Sequence, residues 1–183
     1  MKKLNYLKPL LNFFIIGLII TTLSRLVLFF IFNERVTLIE DYWRIFTIGF
    51  RFDVIMLCYL AVLPAALLTF LPTKVLSKLN WFFNGYFILF LFLFLFMELA
   101  TLDFINQYDT RPNRLFLDYL IYPKEVIGML VKSFLPSLII TGLFLGFALF
   151  FAFKYGKRVF YTQPAHYKTK LLFFPILAFV IFL

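Results

Sequence analysis

Long apolar runs, separated by shorter polar segments, form the main pattern of this chain. Four of the runs are close to the ~20 residues that an α-helix needs to cross a bilayer. A fifth run, at the end of the sequence, is shorter. The pattern predicts an all-α polytopic membrane protein, a bundle of five transmembrane helices whose fifth helix is truncated. The predicted helices span residues 9–32, 52–71, 81–97, 134–153 and 171–183.

The longest polar segment, residues 98–133, lies between the third and fourth predicted helices. Apolar residues recur there at helical spacing on both sides of Pro123, which breaks the pattern. We expect two short amphipathic helices lying in the membrane interface, with an ordinary loop packed on the bundle as the alternative. The apolar positions are Leu115, Phe116, Tyr119, Leu120, Val126, Ile127, Leu130 and Val131.

The distribution of charge predicts the orientation of the chain. Residues 1–8, 73–80 and 154–170 contain Lys and Arg but no Asp or Glu. Residues 33–51 balance acids against bases, and residues 98–133 hold one more acid than bases. Because cytoplasmic loops carry an excess of Lys and Arg, the three basic segments are predicted inside and the other two outside. The N-terminus is then cytoplasmic, and a fifth helix would deliver whatever follows Leu183 to the outer face.

Composition excludes several classes of protein. A chain that is 63% hydrophobic and contains 29 Phe has too little polar surface for a soluble globule. The excess of 18 Lys and Arg over 9 Asp and Glu lies in short loops, so it indicates topology and predicts no nucleic-acid partner. With one His and one Cys, no zinc-type site is expected, and there is no P-loop, GxSxG or HExxH motif. We expect this chain to hold no metal or cofactor and to catalyse nothing by itself.

Three ionisable residues, Arg25, Asp53 and Glu98, fall within or at the ends of predicted membrane helices. A charge at such a depth costs about 2.5 kcal/mol or more unless it is paired or reaches the interface. We expect the three to form an intramembrane polar cluster in the outer half of the bundle. The cluster either helps to hold a lipid headgroup or contains an ion pair between helices that only stabilises the bundle.

Three arginines, Arg51, Arg111 and Arg114, are predicted at the outer surface. The planar guanidinium group matches the geometry of phosphate oxygens, so the three together predict an outer-leaflet anion site. The alternative is that each arginine only anchors a helix end to lipid headgroups.

Two stretches of sequence carry a resemblance to a known family. They are GFRFDVIMLCYLAVLP at residues 49–64 and ELATLDFINQYDTRPNRLFLDYLIYPKEVIGML at residues 98–130, followed by a basic loop and a fifth apolar segment. Their order, over nearly the whole chain, resembles the N-terminal membrane domain of the lipoteichoic acid synthase family. Members of that family are phosphoglycerol transferases with a sulfatase-like domain of the alkaline phosphatase superfamily.

The resemblance implies a role for this chain in the cytoplasmic (inner) membrane of a bacterium. It implies an extracytoplasmic catalytic domain after residue 183, with a threonine nucleophile and a divalent metal, manganese or similar. Such a domain moves phosphoglycerol, or a related phospho-headgroup, from a membrane phospholipid to a cell-envelope acceptor. This chain would anchor that domain and present the phospholipid donor, with Arg51, Arg111 and Arg114 contacting the headgroup and Asp53 and Asp118 orienting them. No catalytic position can be carried over to this chain.

Two other classes of function remain as alternatives. The first is a non-enzymatic membrane scaffold or accessory subunit, in which the segment 98–133 is a docking surface. The second is a small transporter, which would need polar residues aligned through the middle of the membrane. Apart from Arg25, the predicted helices offer few such residues, so the transporter is the weaker alternative.

Overall fold

The computed structural model describes residues 6–36, 40–113, 121, 124, 127–128, 131–132 and 134–161. The helices defined in this part of the chain are α1 (Lys8–Ile31), α2 (Asn33–Val36), α3 (Arg44–Phe70), α4 (Thr73–Lys78), α5 (Asn80–Tyr108) and α6 (Leu135–Val159). Four of them, α1, α3, α5 and α6, are long and apolar enough to cross a membrane. The all-α prediction is therefore confirmed for the described residues, and the predicted fifth helix, residues 171–183, lies outside them.

The long helices extend beyond the apolar runs that predicted them. Helix α3 begins at Arg44 instead of residue 52, and α5 continues past Met97 to Tyr108, which makes the first part of the predicted outer loop helical. Helix α6 similarly continues to Val159. Apolar runs mark only the part of a helix that matches the ~30 Å hydrocarbon core, and the backbone hydrogen bonds continue into the interface. Of the two predicted interfacial helices, only scattered helical positions lie among the described residues, so that prediction stays untested.

The end of α5 is set by a left-handed residue. Asp109 has φ 53° and ψ 22°, and its N–H donates to the carbonyl of Ile105 at 2.9 Å. Asp tolerates this conformation better than most residues with a side chain, and one such residue is a common way to end a helix. The chain turns sharply here, beside the end of α1.

The bundle is arranged in the order α3, α1, α5, α6, with α1 and α5 in the middle. Small residues allow two of the close approaches. A Cβ on Gly17 of α1 would lie 2.5 Å from Leu57 Cδ2 of α3, and a Cβ on Gly156 of α6 would lie 2.7 Å from Ile88 Cδ1 of α5. Close packing through small residues is the usual basis of helix association in lipid, where burial of apolar surface gives no advantage.

Aromatic residues fill the core at one end of the bundle. Phe87 of α5 lies at its centre, with its ring centroid 5.0 Å from that of Phe13 and 5.2 Å from that of Phe160. The start of α1, the end of α3, the start of α5 and the end of α6 meet there, and this is the predicted inner end. At the same end, the Asn12 side chain donates to the carbonyl of Val159 at 2.7 Å and so satisfies one carbonyl in the last turn of α6. The opposite end, where α1 ends and α3 begins, is called the predicted outer end below.

A hydrogen bond between helices compensates for a proline inside α3. Pro64 is buried and has no N–H, so it cannot bond the carbonyl of Leu60 four residues earlier. The hydroxyl of Tyr86 on α5 donates to that carbonyl at 2.7 Å. In lipid no water is available to do so, and an unsatisfied carbonyl is costly. Tyr86 therefore makes a proline acceptable in a membrane helix and ties α5 to α3.

Replacing Tyr86 with Phe should lower the free energy of unfolding by about 1 kcal/mol, because the Leu60 carbonyl loses its donor. In a Pro64→Ala background the same change should cost close to nothing, since the new backbone N–H at position 64 bonds Leu60. The measurement is a double-mutant cycle in detergent micelles, followed by circular dichroism. Tyr59→Phe is the matched control, because Tyr59 is exposed on α3, the helix that contains Pro64. Equal costs of Tyr86→Phe in both backgrounds would contradict this account of Pro64.

Candidate functional site

A buried ion pair lies near the predicted outer end of the bundle. Arg25 of α1 donates from Nη2 to Oδ2 of Asp53 on α3 at 2.7 Å, with the two side chains only 4% and 11% exposed. Each charge offsets part of the cost of burying the other, and together they tie α1 to α3. The predicted polar cluster therefore includes a real contact between Arg25 and Asp53.

Gly49 makes the space that the Arg25 guanidinium occupies. A Cβ at this position would lie 2.5 Å from both Cζ and Nε of Arg25. Gly49 is four residues before Asp53, so the missing side chain and the carboxylate fall on the same face of α3. One helix face thus supplies both the room for the cation and its counter-ion.

Glu98 makes a second set of contacts in this region. Its Oε2 accepts a hydrogen bond from the Ser24 hydroxyl at 2.6 Å and lies 3.8 Å from Nη2 of Arg111. Glu98 therefore joins α5 to α1 through Ser24, the neighbour of Arg25, instead of pairing with Arg25 itself. Its side chain is 13% exposed, whereas that of Arg111 is 47% exposed.

Two further contacts involve acids on α5 and at its end. Asp109, placed by its left-handed backbone, accepts a hydrogen bond from Nη1 of Arg35 in α2. Asp103 accepts from the Ser137 hydroxyl of α6 at 2.5 Å. Both acids lie in the segment predicted as loop, and the extension of α5 explains why they can reach neighbouring helices.

A pocket of about 270 Å³ opens among these charges, and we call it the charged pocket. Its polar wall consists of Arg25, Arg35, Asp109 and Arg111, so it contains three guanidinium groups contributed by α1, α2 and the segment after α5. The remaining wall is apolar and is formed by Leu28, Phe29, Phe32, Val36, Ile45 and Ile105. Its volume is near the lower limit of ligand sites, about 300 Å³, and suits a small polar group.

An apolar cleft runs beside the charged pocket between α1, α5 and α6. Its outer part has a volume of about 640 Å³ and includes Leu28, which also lines the charged pocket, and Glu98, which pairs with Arg111 of that pocket. Its inner part, about 310 Å³, shares Ile20 and Leu95 with the outer part. The cleft is therefore a long apolar groove whose one end adjoins a group of arginines.

The structure brings together only some of the predicted site residues. Arg111 lines the charged pocket, and Asp53 lies behind it, bonded to Arg25. Arg51 is exposed on α3 and does not line the pocket. Arg114 and Asp118 lie outside the described residues, so their predicted roles stay untested.

Sequence reasoning missed Arg35 and Asp109. Arg35 was one of several balanced charges in a short segment, and Asp109 was one of several acids in a long one. The two are 74 positions apart, and nothing in the local sequence relates them. Only the packing of the α5 end beside the end of α1 does so.

The arrangement fits a membrane-embedded, multi-pass helical protein with a charged pocket next to an apolar cleft. Among the residues that the structure describes, no group of three or more His, Cys, Asp and Glu is placed to hold a metal ion. No protein-family model matches this chain, and no solved structure matches it.

Substituting Gly49 with Ala should destabilise the bundle, because the new Cβ displaces the Arg25 guanidinium from Asp53. We expect a loss of about 1–3 kcal/mol if the neighbours adjust, and up to about 5 kcal/mol if the ion pair breaks. Gly85→Ala in α5 is the matched control, because its Cβ would meet no atom within 4 Å. The measurement is the midpoint of unfolding in a series of SDS concentrations. Equal effects of the two substitutions would mean that Gly49 is not needed to seat Arg25.

Proposed function

We propose that this chain is the membrane domain of a cell-envelope transferase and that it presents a phospholipid donor at the outer face of the membrane. The single observation that carries the proposal is that the charged pocket and the apolar cleft share Leu28, and that Glu98 of the cleft pairs with Arg111 of the pocket. A phospholipid is the membrane component that matches this arrangement, because its polar head would fit the charged pocket and its apolar chains would fit the cleft. The resemblance to the lipoteichoic acid synthase family favours the same reading from independent features of the sequence.

Each part of the site has a proposed role in holding such a lipid. Arg35 and Arg111 are partly exposed and can turn their guanidinium groups toward phosphate oxygens, which suit the planar N–H pairs of arginine. Arg25 is fixed by Asp53, and that bond occupies only one of the five N–H groups of the guanidinium. The acyl chains would lie along the cleft, whose wall is mainly apolar and whose polar residues are Ser24, Glu98, Asp103, Ser137 and Thr141.

The chemistry itself is assigned to a domain beyond these residues. The resemblance implies that an outward-facing domain supplies the nucleophile and binds the divalent metal, manganese or similar. The contribution of this chain would then be to fix the headgroup at a constant position relative to the membrane. Holding one reactant in place lowers the entropic part of the reaction barrier.

An exposed helix favours the scaffold as a second candidate. None of the membrane-crossing part of α6 is buried among the described residues, and an added Cβ at either Gly142 or Gly146 would meet no atom within 4 Å. Two glycines four residues apart are typical of helix–helix contacts in membranes. A protein that only binds a partner would use such a face and would not need the charged pocket.

The size of the natural gene product separates these two candidates. Purified from its own membrane, the product is expected to have a mass well above the 21.8 kDa of this chain, because it should contain several hundred more residues. Intact-protein mass spectrometry makes the measurement. A gene product with a mass of 21.8 kDa would overturn the transferase proposal and favour the scaffold.

Binding of phospholipid should depend on the charged pocket. Arg35→Ala and Arg111→Ala should each lower the amount of lipid retained by the purified chain, about tenfold when combined, because two guanidinium contacts to phosphate are lost. Native mass spectrometry of the protein released from detergent counts the retained lipids. Arg44→Ala is the matched control, since Arg44 is exposed at the same end and pairs with Asp41 outside the pocket.

Arg51→Ala belongs in the same series. A loss as large as that of Arg111→Ala would support the sequence-based assignment of Arg51 to the headgroup. Equal lipid retention by the wild type and the Arg35 and Arg111 variants would overturn the pocket as a lipid site.

A further inference from the structure

Each arginine of the charged pocket is paired with a carboxylate. The pairs are Arg25 with Asp53, Arg35 with Asp109, and Arg111 with Glu98. The three positive and three negative formal charges of these pairs, all among the described residues, cancel. The whole chain carries a net charge of +9, so the neutrality of this region is not a general property of the protein.

This balance decides which charge a ligand can carry. A ligand with only a negative charge would compete with the carboxylates for the guanidinium groups and leave at least one carboxylate without its partner. Leaving Glu98 without its partner Arg111 is costly, because the Glu98 side chain is only 13% exposed. A ligand that carries both signs can bind the guanidinium groups and place its own positive charge beside a carboxylate of the pocket, so the site stays neutral.

Asp109 is the carboxylate best placed to accept a positive group. Its side chain is 79% exposed and lines the charged pocket, whereas those of Asp53 and Glu98 are 11% and 13% exposed. Arg35 bonds it through Oδ1, and a carboxylate has acceptor sites on both oxygens. A second donor can therefore approach Asp109 without breaking the pair with Arg35.

We propose that the charged pocket selects a phospholipid with a zwitterionic headgroup that ends in a primary ammonium. Its phosphodiester contacts Arg35 and Arg111, and its ammonium contacts Asp109. This inference rests on the proposed function, that the pocket binds a phospholipid headgroup, and adds the charge type of that headgroup.

The walls of the pocket favour a primary ammonium over a trimethylammonium. Quaternary ammonium groups are bound mainly by the open faces of aromatic rings. The Phe32 ring, one of two aromatic rings in the pocket wall, already has the Arg35 guanidinium over it, 5.5 Å from its centroid. A primary ammonium instead has N–H donors that match carboxylate oxygens. A pocket of about 270 Å³ leaves room for a short amino alcohol and no large sugar.

The test compares three phospholipids that differ only in the headgroup. The purified full chain is offered an equimolar mixture of phosphatidylethanolamine, phosphatidylcholine and phosphatidylglycerol with identical acyl chains. Native mass spectrometry then gives the ratio of the lipids retained. We expect phosphatidylethanolamine to exceed phosphatidylglycerol about threefold or more, the effect of one partly exposed charge pair.

Asp109→Asn should abolish this preference while leaving the fold intact. Asn is as tolerant of the left-handed conformation as Asp and has nearly the same size, so only the charge is removed. Asp41→Asn is the matched control, because Asp41 is half-exposed at the same end and pairs with Arg44 outside the pocket. It should retain the wild-type ratio.

The outcomes separate this inference from the function on which it rests. Retention of phosphatidylglycerol equal to or above that of phosphatidylethanolamine, still lowered by Arg111→Ala, would overturn the zwitterionic headgroup and keep the lipid site. Retention of phosphatidylcholine equal to or above that of phosphatidylethanolamine would overturn the primary ammonium. The same preference in wild type and Asp109→Asn would also overturn it. Retention that is equal for all three lipids and unchanged by Arg111→Ala would overturn both.

Discussion

The ion pair between Arg25 and Asp53 is the contact on which the predicted outer end of the bundle depends. In a medium of low dielectric constant either charge alone would be strongly unfavourable, so the two helices that carry them must stay together. Gly49 leaves the space in which the guanidinium lies. The pair also fixes Arg25 at the wall of the charged pocket, so the stability of the bundle and the geometry of the candidate site share one contact.

Polar contacts connect each neighbouring pair of long helices at that end. Arg25 and Asp53 join α1 to α3, Ser24 and Glu98 join α1 to α5, and Ser137 and Asp103 join α6 to α5. At the predicted inner end, the packing of aromatic and aliphatic side chains joins the helices instead. Apolar contacts between helices have little advantage over contacts with lipid, so charged and hydrogen-bonded groups give these interfaces their specificity. The same groups leave one end of the bundle able to bind a polar ligand.

The backbone of the bundle follows the same constraint. Without water, each carbonyl that a proline or a helix end leaves free needs another donor. The Tyr86 hydroxyl donates to the carbonyl of Leu60, which Pro64 leaves free. The Asn12 side chain donates to the carbonyl of Val159 at the end of α6. Each donor comes from a helix two places away in the order α3, α1, α5, α6, so satisfying the backbone also fixes how the helices are placed. The apolar cleft between α1, α5 and α6 is what this arrangement leaves open to the lipid.

The sequence by itself determined the all-α class, the four long apolar helices and the need of Arg25 for a partner. Hydropathy and charge are local properties, and a ~30 Å hydrocarbon layer acts on each helix separately. The sequence left open whether Asp53 or Glu98 would pair with Arg25, and it placed the start of the polar loop at Glu98, although α5 continues to Tyr108. An apolar run ends at the first charged residue, but the helix continues past that residue.

Only the tertiary structure decided the composition of the charged pocket. Arg35 and Asp109 are distant in sequence and meet because the left-handed turn at Asp109 ends α5 beside the end of α1. Arg51, which looked equivalent to Arg111 in sequence, lies on an exposed face of α3 away from the pocket. The physical reason is that side-chain direction follows helix rotation and packing, which depend on the neighbouring helices and not on the residue's own segment.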